Sequence, residues 1–271
     1  MNTSSTSISV VIPTLNRCTT LPRALDSVLQ QTQLPDEIIV VDNGSEDGTI
    51  SMLKTNYPTV VIISATKRGV SAARNRGIAI AKGTWIGLLD SDDAWHPSKL
   101  EKQVKLHRKQ SGYRLIHTDE IWYRRGRRIN QMKKHKKRGG NIFKDCLALC
   151  CISPSSVLVK KNLFQEVGNF NEDLPACEDY DLWLRVTMQE EVLYIDEPLT
   201  FKHGGHHDQL SNKYWGMDRY RIKALEGILK HKHISDDQKI ATHEMLVQKL
   251  RILINGATKR NNLEIIKLYS S

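Results

Sequence analysis

The chain contains 271 residues, of which 39% are hydrophobic and 26% are charged, and this composition excludes a fibrous or disordered protein. A chain of this length can form one complete α/β domain with an appendage. Its formal net charge of +10 predicts attraction to polyanions, whether nucleic acid, an anionic membrane surface or a phosphorylated substrate.

The five cysteines are predicted to be free thiols, because they are odd in number and form no Cys-x-x-Cys pair. Cys146, Cys150 and Cys151 lie in a mostly apolar stretch, so they are expected to pack in the core and not to bind a metal. The first residues show no basic segment followed by an apolar one, and no run of about 18 apolar residues occurs. We therefore expect a cytoplasmic protein whose contact with a membrane, if it has one, is peripheral.

Strand and helix patterns alternate through the first hundred residues. Apolar, β-branched runs predict four strands, at residues 8–12, 37–41, 60–64 and 85–89. Helical periodicity predicts three helices between them, at residues 22–31, 45–54 and 71–82. This alternation indicates an α/β fold with a mostly parallel sheet, in which ligands bind beyond the carboxyl ends of the strands. That rule places Pro13–Thr14, Asp42 and Asp90–Asp93 along one edge of the sheet.

The second half of the chain has a less regular pattern. It predicts helices at residues 97–110, 163–167 and 181–188, and a strand at residues 192–195. Residues 121–140 hold nine lysines or arginines and no acid, and they are expected to leave the sheet as an excursion. Residues 213–271 are helical in pattern and basic, with twelve lysines or arginines against six acids. This last segment is expected to pack on the preceding domain, to dimerise or to lie on a membrane.

The acidic cluster Asp90-Ser91-Asp92-Asp93 follows directly on the fourth predicted strand. Crowded carboxylates repel one another, and a hard divalent cation such as Mg²⁺ or Mn²⁺ relieves that repulsion while bridging phosphate oxygens. The alternative is a helix N-cap, for which aspartate and serine are also suited. A cap needs only one such residue, so three carboxylates in four positions favour a site for metal and phosphate.

Five motifs then follow one another in a fixed order. They are Ser9-Val-Val-Ile-Pro-Thr-Leu-Asn-Arg17, Leu25-Asp-Ser-Val-Leu-Gln-Gln-Thr32, Glu37-Ile-Ile-Val-Val-Asp-Asn-Gly-Ser45, Gly69-Val-Ser-Ala-Ala-Arg-Asn75 and Leu89-Asp-Ser-Asp-Asp-Ala-Trp-His-Pro-Ser-Lys-Leu100. Together they resemble the family 2 glycosyltransferases, and the resemblance runs from about residue 8 to about residue 211. The chain departs from the family at Asn43, where a second aspartate is common.

The resemblance implies a fold and a division of the chain. The fold is of the GT-A type, a mostly parallel sheet flanked by helices. A catalytic domain would span residues 1–212, with a nucleotide-sugar half at about 8–100 and an acceptor half at about 101–212. Residues 213–271 would form a helical C-terminal extension.

For the donor, the resemblance implies a set of binding residues. Pro13, Thr14, Asn16 and Arg17 would form the loop under the nucleoside. Asp42 would accept a hydrogen bond from the base edge, which favours uracil and hence a UDP-sugar. Arg74 would approach the nucleotide or its diphosphate, for which its fork of donors is suited.

The resemblance gives the acidic cluster and one histidine to the metal, Mn²⁺ or Mg²⁺. Asp90 would lie near the ribose or in the outer shell of the metal, Ser91 would take part in binding the donor, and Asp92 would bind the metal directly. Within the string Lys202-His-Gly-Gly-His-His-Asp-Gln-Leu-Ser211, His206 is the first choice as a further ligand and His203 the second. The alternative is a solvated loop whose histidines bind nothing, and zinc fits the hard acidic cluster poorly.

A second acidic motif, Cys177-Glu-Asp-Tyr-Asp-Leu-Trp-Leu-Arg185, also resembles one of the family. By that resemblance Asp179 is the general base that takes the proton of the acceptor hydroxyl in an inverting transfer, and Glu178 supports it. The alternative is an acid-rich helix N-terminus that complements the helix dipole.

The implied function is the transfer of a sugar from a nucleotide-diphosphate donor to an acceptor hydroxyl, in bacterial surface glycan or lipid-linked glycan assembly. The basic run Tyr123–Arg138 then favours contact with an anionic lipid surface or a lipid-linked acceptor. A nucleic-acid-binding protein is an alternative, although no binding module surrounds this run. A nucleotidyltransferase would carry a glycine-rich loop after the first strand, where this chain has Pro-Thr-Leu-Asn-Arg. A sugar-binding relative without catalysis is the last alternative.

Overall fold

A computed structural model describes residues 6–205 and 214–269 of the chain. Within these residues nine strands form one sheet, in the order β3-β2-β1-β4-β8-β6-β9-β5, with β7 paired to β6. The strands are β1 (Ile8–Thr14), β2 (Glu37–Asp42), β3 (Val61–Ser64), β4 (Trp85–Leu88), β5 (Ala94–Trp95), β6 (Leu115–Arg124), β7 (Arg127–Ile129), β8 (Leu158–Lys160) and β9 (Leu193–Gly204).

Ten α-helices accompany the sheet in the described residues. They are α1 (Leu21–Leu29), α2 (Thr49–Asn56), α3 (Val70–Ile80), α4 (Lys99–Lys109), α5 (Phe143–Ala148), α6 (Lys161–Val167), α7 (Glu178–Thr187), α8 (Asp218–Leu229), α9 (Asp236–Lys259) and α10 (Leu263–Tyr269). None of these helices is both long and apolar enough to cross a membrane.

The direction of the strands decides where a ligand can bind. β1 pairs in parallel with β2 and β4, and β2 pairs in parallel with β3. β8 runs antiparallel to both β4 and β6, so β6 points the same way as β4. β9 is parallel to β6. The carboxyl ends of β1, β2, β4, β6 and β9 therefore lie at one edge of the sheet, which we call the active edge.

Both faces of the sheet are buried, as the alternating side chains of β1 show. Val11 belongs to a core cluster on one face, whereas Val10 and Ile12 belong to the cluster on the other. This arrangement confirms the expected α/β fold with helices flanking a mostly parallel sheet. The predicted strands and helices of the first hundred residues are all present, with ends that differ by a few residues.

The second helix begins at Thr49, four residues after the predicted start. The segment before it is a loop, because Gly44 and Gly48 adopt positive φ angles of 97° and 85° that other residues rarely adopt. Asp47 holds the start of the helix through the Thr49 backbone N–H, which donates to Asp47 Oδ1 over 3.1 Å. Residues 45–48 therefore form a loop that leads into the helix, with Gly48 at the N-cap position, and they do not form its first turn.

The expected excursion at residues 121–140 is wrong for its first part. Residues 121–124 continue β6, and β7 folds back on them so that Trp122 lies opposite Ile129. Arg125 and Gly126, with φ angles of 50° and 75°, form the turn of this hairpin. β6 is longer than expected because β9 continues past the predicted residues 192–195 to Gly204 and pairs with β6 up to Arg124.

The C-terminal helices pack on the rest of the molecule. Ala224, Leu225 and Ile228 of α8 lie in the same buried cluster as the apolar residues of α7. From α9, Lys249 Nζ donates to the carbonyl of Ala148 over 3.0 Å, and Gln238 Nε2 donates to the carbonyl of Met188 over 2.8 Å. Of the three roles expected for this segment, the structure therefore shows packing on the preceding residues of the chain.

The five cysteines are free thiols, as expected. Cys146 and Cys177 are buried, whereas Cys18, Cys150 and Cys151 are partly exposed. The expectation of core packing is thus confirmed for Cys146 and only partly met by its two neighbours.

Candidate active site

Three of the predicted site segments lie where strands end at the active edge. Thr14 closes β1 directly opposite Asp42, which closes β2. Asp90 follows β4 by two residues, and β4 is the other neighbour of β1. Three polar segments that are far apart in sequence are therefore adjacent in the fold.

The loops after β1 and β2 form one wall of the site. The Asn16 backbone N–H donates to Ser45 Oγ over 2.8 Å, and the Glu46 backbone N–H donates to Asn16 Oδ1 over 2.8 Å. Asn16 adopts a φ of 53°, which asparagine tolerates better than most residues. The Arg17 backbone N–H donates to Thr49 Oγ1 over 3.0 Å, which ties the same loop to α2.

Pro13 and Thr14 are buried beneath this wall. Among the described residues, Thr14 Oγ1 has no hydrogen-bond partner although it is buried. Asp42 is also buried, and its carboxylate accepts from the backbone N–H groups of Gly44 and Ser45, both at 3.1 Å. A carboxylate has about four acceptor positions, so these two contacts leave room for a further donor.

Asn43 has a structural role that explains the departure from the family motif. Its Nδ2 donates to the carbonyl of Lys67 over 2.9 Å, and its Oδ1 accepts from the Gly69 backbone N–H over 2.7 Å. The amide therefore fixes the loop that leads into α3. An ionised aspartate accepts but does not donate, so it cannot make both bonds.

Arg74 of α3 joins the two acidic motifs. Its two terminal nitrogens donate to Asp90 Oδ1 and to Glu178 Oε1, each over 2.7 Å. The guanidinium is only 3% exposed and lies over the ring of Phe170, 5.0 Å from its centroid. Burial alone lowers the pKa of Arg74, but the two carboxylates outweigh it and raise the pKa above its ordinary value. A buried cation of this kind is stable only because it is paired.

Asp93 anchors the acidic cluster to the strands behind it. Its Oδ2 accepts from Ser155 Oγ over 2.6 Å, its Oδ1 accepts from the His203 backbone N–H over 2.9 Å, and Lys202 Nζ lies 3.5 Å away. Burial, together with the charges of Asp92 and Asp90, raises the pKa of Asp93 to about 7, although Lys202 opposes that rise. The Ser155 hydroxyl also accepts from the Asp90 backbone N–H over 3.1 Å.

Asp92 is only partly buried, unlike Ser91 and Asp93 on either side of it. Its backbone carbonyl accepts from the guanidinium of Arg23. The charge of Asp92 contributes to the raised pKa of Asp93. Within the described ranges, no three His, Cys, Asp or Glu side chains are grouped so that they could hold a metal.

The two candidate histidines differ in what the structure shows of them. His206 lies outside the described residues. The His203 ring stacks on Tyr123, with the centroids 5.0 Å apart and the rings inclined by 10°. Burial and the charge of Arg23 lower the pKa of His203, so the neutral form that binds metals is favoured.

The second acidic motif begins α7, three residues before the predicted start. Glu178 is buried against Arg74, and burial and the charge of Asp179 raise its pKa to about 7. Asp179 is partly exposed; its Oδ1 accepts from the Tyr180 backbone N–H over 2.7 Å and its Oδ2 from the Cys150 thiol over 3.3 Å. The two neighbours thus differ: Glu178 faces the buried guanidinium, whereas Asp179 is held at the surface of the site.

Several site residues were missed in the sequence. Arg23 and Ser155 contact the acidic cluster without lying in any motif that marks them, and Lys202 begins the histidine-containing string but has no predicted role there, since each contact joins residues more than 60 positions apart. Glu120 and Lys137 form a buried pair 3.3 Å apart, and Lys137 Nζ donates to the carbonyl of Cys151 over 2.9 Å. This pair fixes the end of the basic segment beside the loop that carries Cys150.

The chain is similar in sequence to known glycosyltransferases. The sequence pattern that defines the family described as "Glycosyl transferase family 2" matches residues 9–168. An uncharacterized glycosyltransferase of Rickettsia felis is 32% identical over 219 residues, which are 76% of this chain and 35% of that protein. The chain therefore spans about a third of the length of that relative.

Two solved structures share the fold. S. aureus TarS 1–349, in complex with UDP-GlcNAc, superimposes with a TM-score of 0.72 at 17% identity, over 90% of this chain and 71% of that one. The mannosyltransferase PcManGT from Pyrobaculum calidifontis, in complex with GDP-Man and Mn²⁺, gives a TM-score of 0.64 at 16% identity, over 99% and 79% of the two chains.

Proposed function

The chain belongs to glycosyl transferase family 2, and from that premise we propose that it transfers a sugar from a nucleoside-diphosphate donor to an acceptor hydroxyl with inversion at the anomeric carbon. The observation that carries this proposal is the bridge through Arg74, which joins Asp90 to Glu178. Asp90, on the side where we place the diphosphate, and Glu178, next to the proposed general base Asp179, are thereby held in one site.

The donor is a UDP-sugar, with its nucleoside against the wall formed by the loops after β1 and β2. Pro13, Thr14 and the loop Asn16–Arg17 support the nucleoside, and Thr14 Oγ1 is a buried hydroxyl that a ligand can satisfy. Asp42 keeps acceptor capacity for the ring N–H of uracil. The fold shared with a UDP-GlcNAc complex is compatible with this donor.

The acidic cluster fits a divalent cation, Mn²⁺ or Mg²⁺, by the chemistry of its donors. Asp92 and Asp90 offer hard carboxylate oxygens, and both side chains are partly exposed. We expect these two residues, with Ser91 beside the ribose and with His206 or His203, to surround the cation and the diphosphate. When bound, the cation neutralises the charge that develops on the departing diphosphate.

Asp179 is the base in this proposal. As the acceptor oxygen forms its bond to the anomeric carbon, the hydroxyl proton passes to the Asp179 carboxylate, and the bond from the anomeric carbon to the diphosphate oxygen breaks. The diphosphate leaves with the electron pair of that bond and needs no proton. Contacts from Tyr180 and Cys150 orient the carboxylate, while Glu178 positions Arg74.

The acceptor is a glycan or a lipid-linked glycan in the assembly of a bacterial surface polysaccharide. An acceptor of this kind is compatible with an active edge that is bordered by exposed cations. With such an acceptor we expect peripheral contact with an anionic membrane, whereas nucleic acid has no part in the proposed reaction.

Donor binding can be tested by thermal unfolding with UDP or GDP, each with and without Mn²⁺. A ligand at about one hundred times its Kd should raise the midpoint by about 5 °C, and we expect this rise only with UDP and the metal together. Asp92→Ala should abolish it, whereas Asp173→Ala, at an exposed acid outside the site, should not. No stabilisation by any nucleoside diphosphate would contradict the proposal.

The chemical step requires a separate test. Asp179→Asn should retain the stabilisation by UDP and Mn²⁺ and lose sugar transfer by a factor of about 10² or more, because it removes the proton acceptor. Hydrolysis of UDP-sugar in the absence of an acceptor gives a first readout. Unchanged turnover in Asp179→Asn would exclude Asp179 as the base while leaving the donor site intact.

A further inference from the structure

The hairpin at the end of β6 carries a dense group of exposed cations. We define the basic hairpin as residues 124–136, which contain no acid. Its exposed cations are Arg124, Arg125, Arg127, Arg128, Lys133, Lys134 and Lys136. In the part of the chain that the structure describes, none of the seven forms an ion pair with a carboxylate, so this charge faces solvent and can attract an anionic partner.

The placement of the basic hairpin relates it to the candidate active site. It follows β6, whose carboxyl end lies at the active edge, and the Arg125 backbone N–H donates to the carbonyl of Gly204 over 3.1 Å. At its base, Tyr123 stacks on His203, whose backbone N–H is bonded to Asp93. A surface bound by the basic hairpin would therefore lie beside the acidic cluster.

The side chains between the cations indicate which polyanion fits. Ile129 is 38% exposed and Met132 is 59% exposed, so aliphatic groups project among the cations. The aromatic rings nearby are engaged within the protein: Trp122 packs on His135 at 5.0 Å and donates from Nε1 to Glu120 over 2.8 Å, and Tyr123 stacks on His203. Binding of single-stranded nucleic acid depends on open aromatic rings, whereas cations with exposed aliphatic groups suit a lipid headgroup layer.

We propose that the basic hairpin docks this protein on a bilayer that contains anionic phospholipid, with the active edge turned toward the bilayer. The cations contact the headgroups, and Ile129 and Met132 enter the interface between headgroups and acyl chains. Docking depends on the charge and position of the hairpin and not on the transferase chemistry. If the proposed function holds, a lipid-linked acceptor would be presented at the same surface.

The test is sedimentation of the full chain with vesicles of phosphatidylcholine alone or with about one third phosphatidylglycerol. The hairpin variant carries Arg127→Gln, Arg128→Gln, Lys133→Gln and Lys134→Gln. The control variant removes the same charge from exposed residues elsewhere, with Lys54→Gln, Lys105→Gln, Arg108→Gln and Lys109→Gln. Each cation at an anionic surface contributes a factor of about five in binding, so the hairpin variant should bind at least about 100-fold more weakly, and the control about as well as the parent.

A second variant tests the aliphatic contact. Ile129→Ser with Met132→Ser keeps every charge, and it should weaken binding to the anionic vesicles several-fold because less apolar surface enters the interface. Circular dichroism melts of all variants check that they are folded. The hairpin variant and the variant with Ile129→Ser and Met132→Ser should both retain the thermal response to UDP and Mn²⁺ that reports donor binding. That response separates failure of docking from failure of the proposed function.

Three results would overturn the docking proposal. The first is equal binding of the parent chain to vesicles with and without phosphatidylglycerol, or no binding at low salt. The second is an equal loss in the hairpin and control variants, which would assign the attraction to net charge alone. The third is a hairpin variant that keeps its vesicle binding and loses binding to a single-stranded oligonucleotide, which would assign the surface to nucleic acid.

Discussion

At the scale of single residues, Arg74 shows how a buried cation holds two motifs together. Lysine keeps the charge but replaces the planar fork with one point charge, so it cannot hold Asp90 and Glu178 at 2.7 Å at the same time. We expect Arg74→Lys to lower the free energy of unfolding by about 1–3 kcal/mol and to reduce turnover at least about tenfold. Chemical denaturation and a donor-hydrolysis assay measure the two effects.

The matched control for Arg74 lies on the same helix. Arg76 is exposed, and Arg76→Lys should change the free energy of unfolding by less than about 0.5 kcal/mol. Full activity and stability in Arg74→Lys would show that the fork is dispensable and that the charge alone is sufficient.

Cys150 reports on the charge of Asp179. Burial and the nearby carboxylate raise the pKa of the Cys150 thiol well above its ordinary value, so little thiolate is present at neutral pH. Removal of the negative charge in Asp179→Asn should lower that pKa and increase the rate of alkylation of Cys150 by iodoacetamide several-fold at pH 8. Peptide mass spectrometry resolves this site from the other four cysteines. Asp173→Asn removes a charge from an exposed acid and should leave the rate unchanged, whereas equal rates in all three proteins would contradict the contact.

At the scale of elements, the position of α3 depends on Gly77. A Cβ at this position would overlap Val11 Cγ1 and lie 3.0 Å from Val41 Cγ2, so α3 would have to move away from β1 and β2. Gly77→Ala should therefore destabilise the protein by about 1–3 kcal/mol and, because Arg74 is on the same helix, weaken donor binding. Urea unfolding and the thermal response to UDP and Mn²⁺ check the two consequences.

The same substitution should have the opposite sign in α8. At Gly227 nothing lies within 4 Å of an added Cβ and the residue is exposed, so Gly227→Ala should stabilise the protein by about 0.5–1 kcal/mol through helix propensity. If both variants were destabilised equally, close packing of α3 on the sheet would not be the cause.

The elements that could be predicted from the sequence are those with a local signal. The strands β1, β2 and β4 are continuous apolar runs, because both of their faces are buried, and α1 shows helical periodicity. The second half of β6 carries no such signal, since residues 121–124 are only partly buried or exposed and strand formation depends on pairing with β9. β8 has three residues and pairs with strands about 40 and 70 positions earlier, which no local pattern records.

The residues of the candidate site also differ in whether the local sequence marks them. The acidic cluster and Asp42 could be located because a strand end precedes each of them, whereas the Glu178–Asp179 motif is marked by its resemblance to a motif of the family. The partners of these residues could not, because the bond from Ser155 to Asp93 and the pair formed by Arg74 and Glu178 join residues 62 and 104 positions apart. Periodicity indicates which face of an element is buried but not which side chain of a distant element meets it there.

At the scale of the whole molecule, the C-terminal helix α8 and the helix α7 share one core. Leu225 of α8 is fully buried in the cluster that also contains Tyr180 and Trp183 of α7, the helix that begins with Glu178 and Asp179. The extension therefore supports the helix that carries the proposed base. Unfolding of the described chain should be a single cooperative transition, without an earlier loss of the C-terminal helices.

Leu225→Ala tests this cooperativity. Truncation in a close-packed core should lower the free energy of unfolding by about 2–5 kcal/mol, and tryptophan fluorescence and circular dichroism at 222 nm should shift together in urea. Leu268→Ala removes the same group from a side chain that is 63% exposed and should change the transition by less than about 0.5 kcal/mol. If Leu225→Ala instead produced a separate early transition in circular dichroism, with unchanged fluorescence and unchanged stabilisation by UDP and Mn²⁺, the extension would unfold independently. Support of the proposed base by α8 would then be excluded.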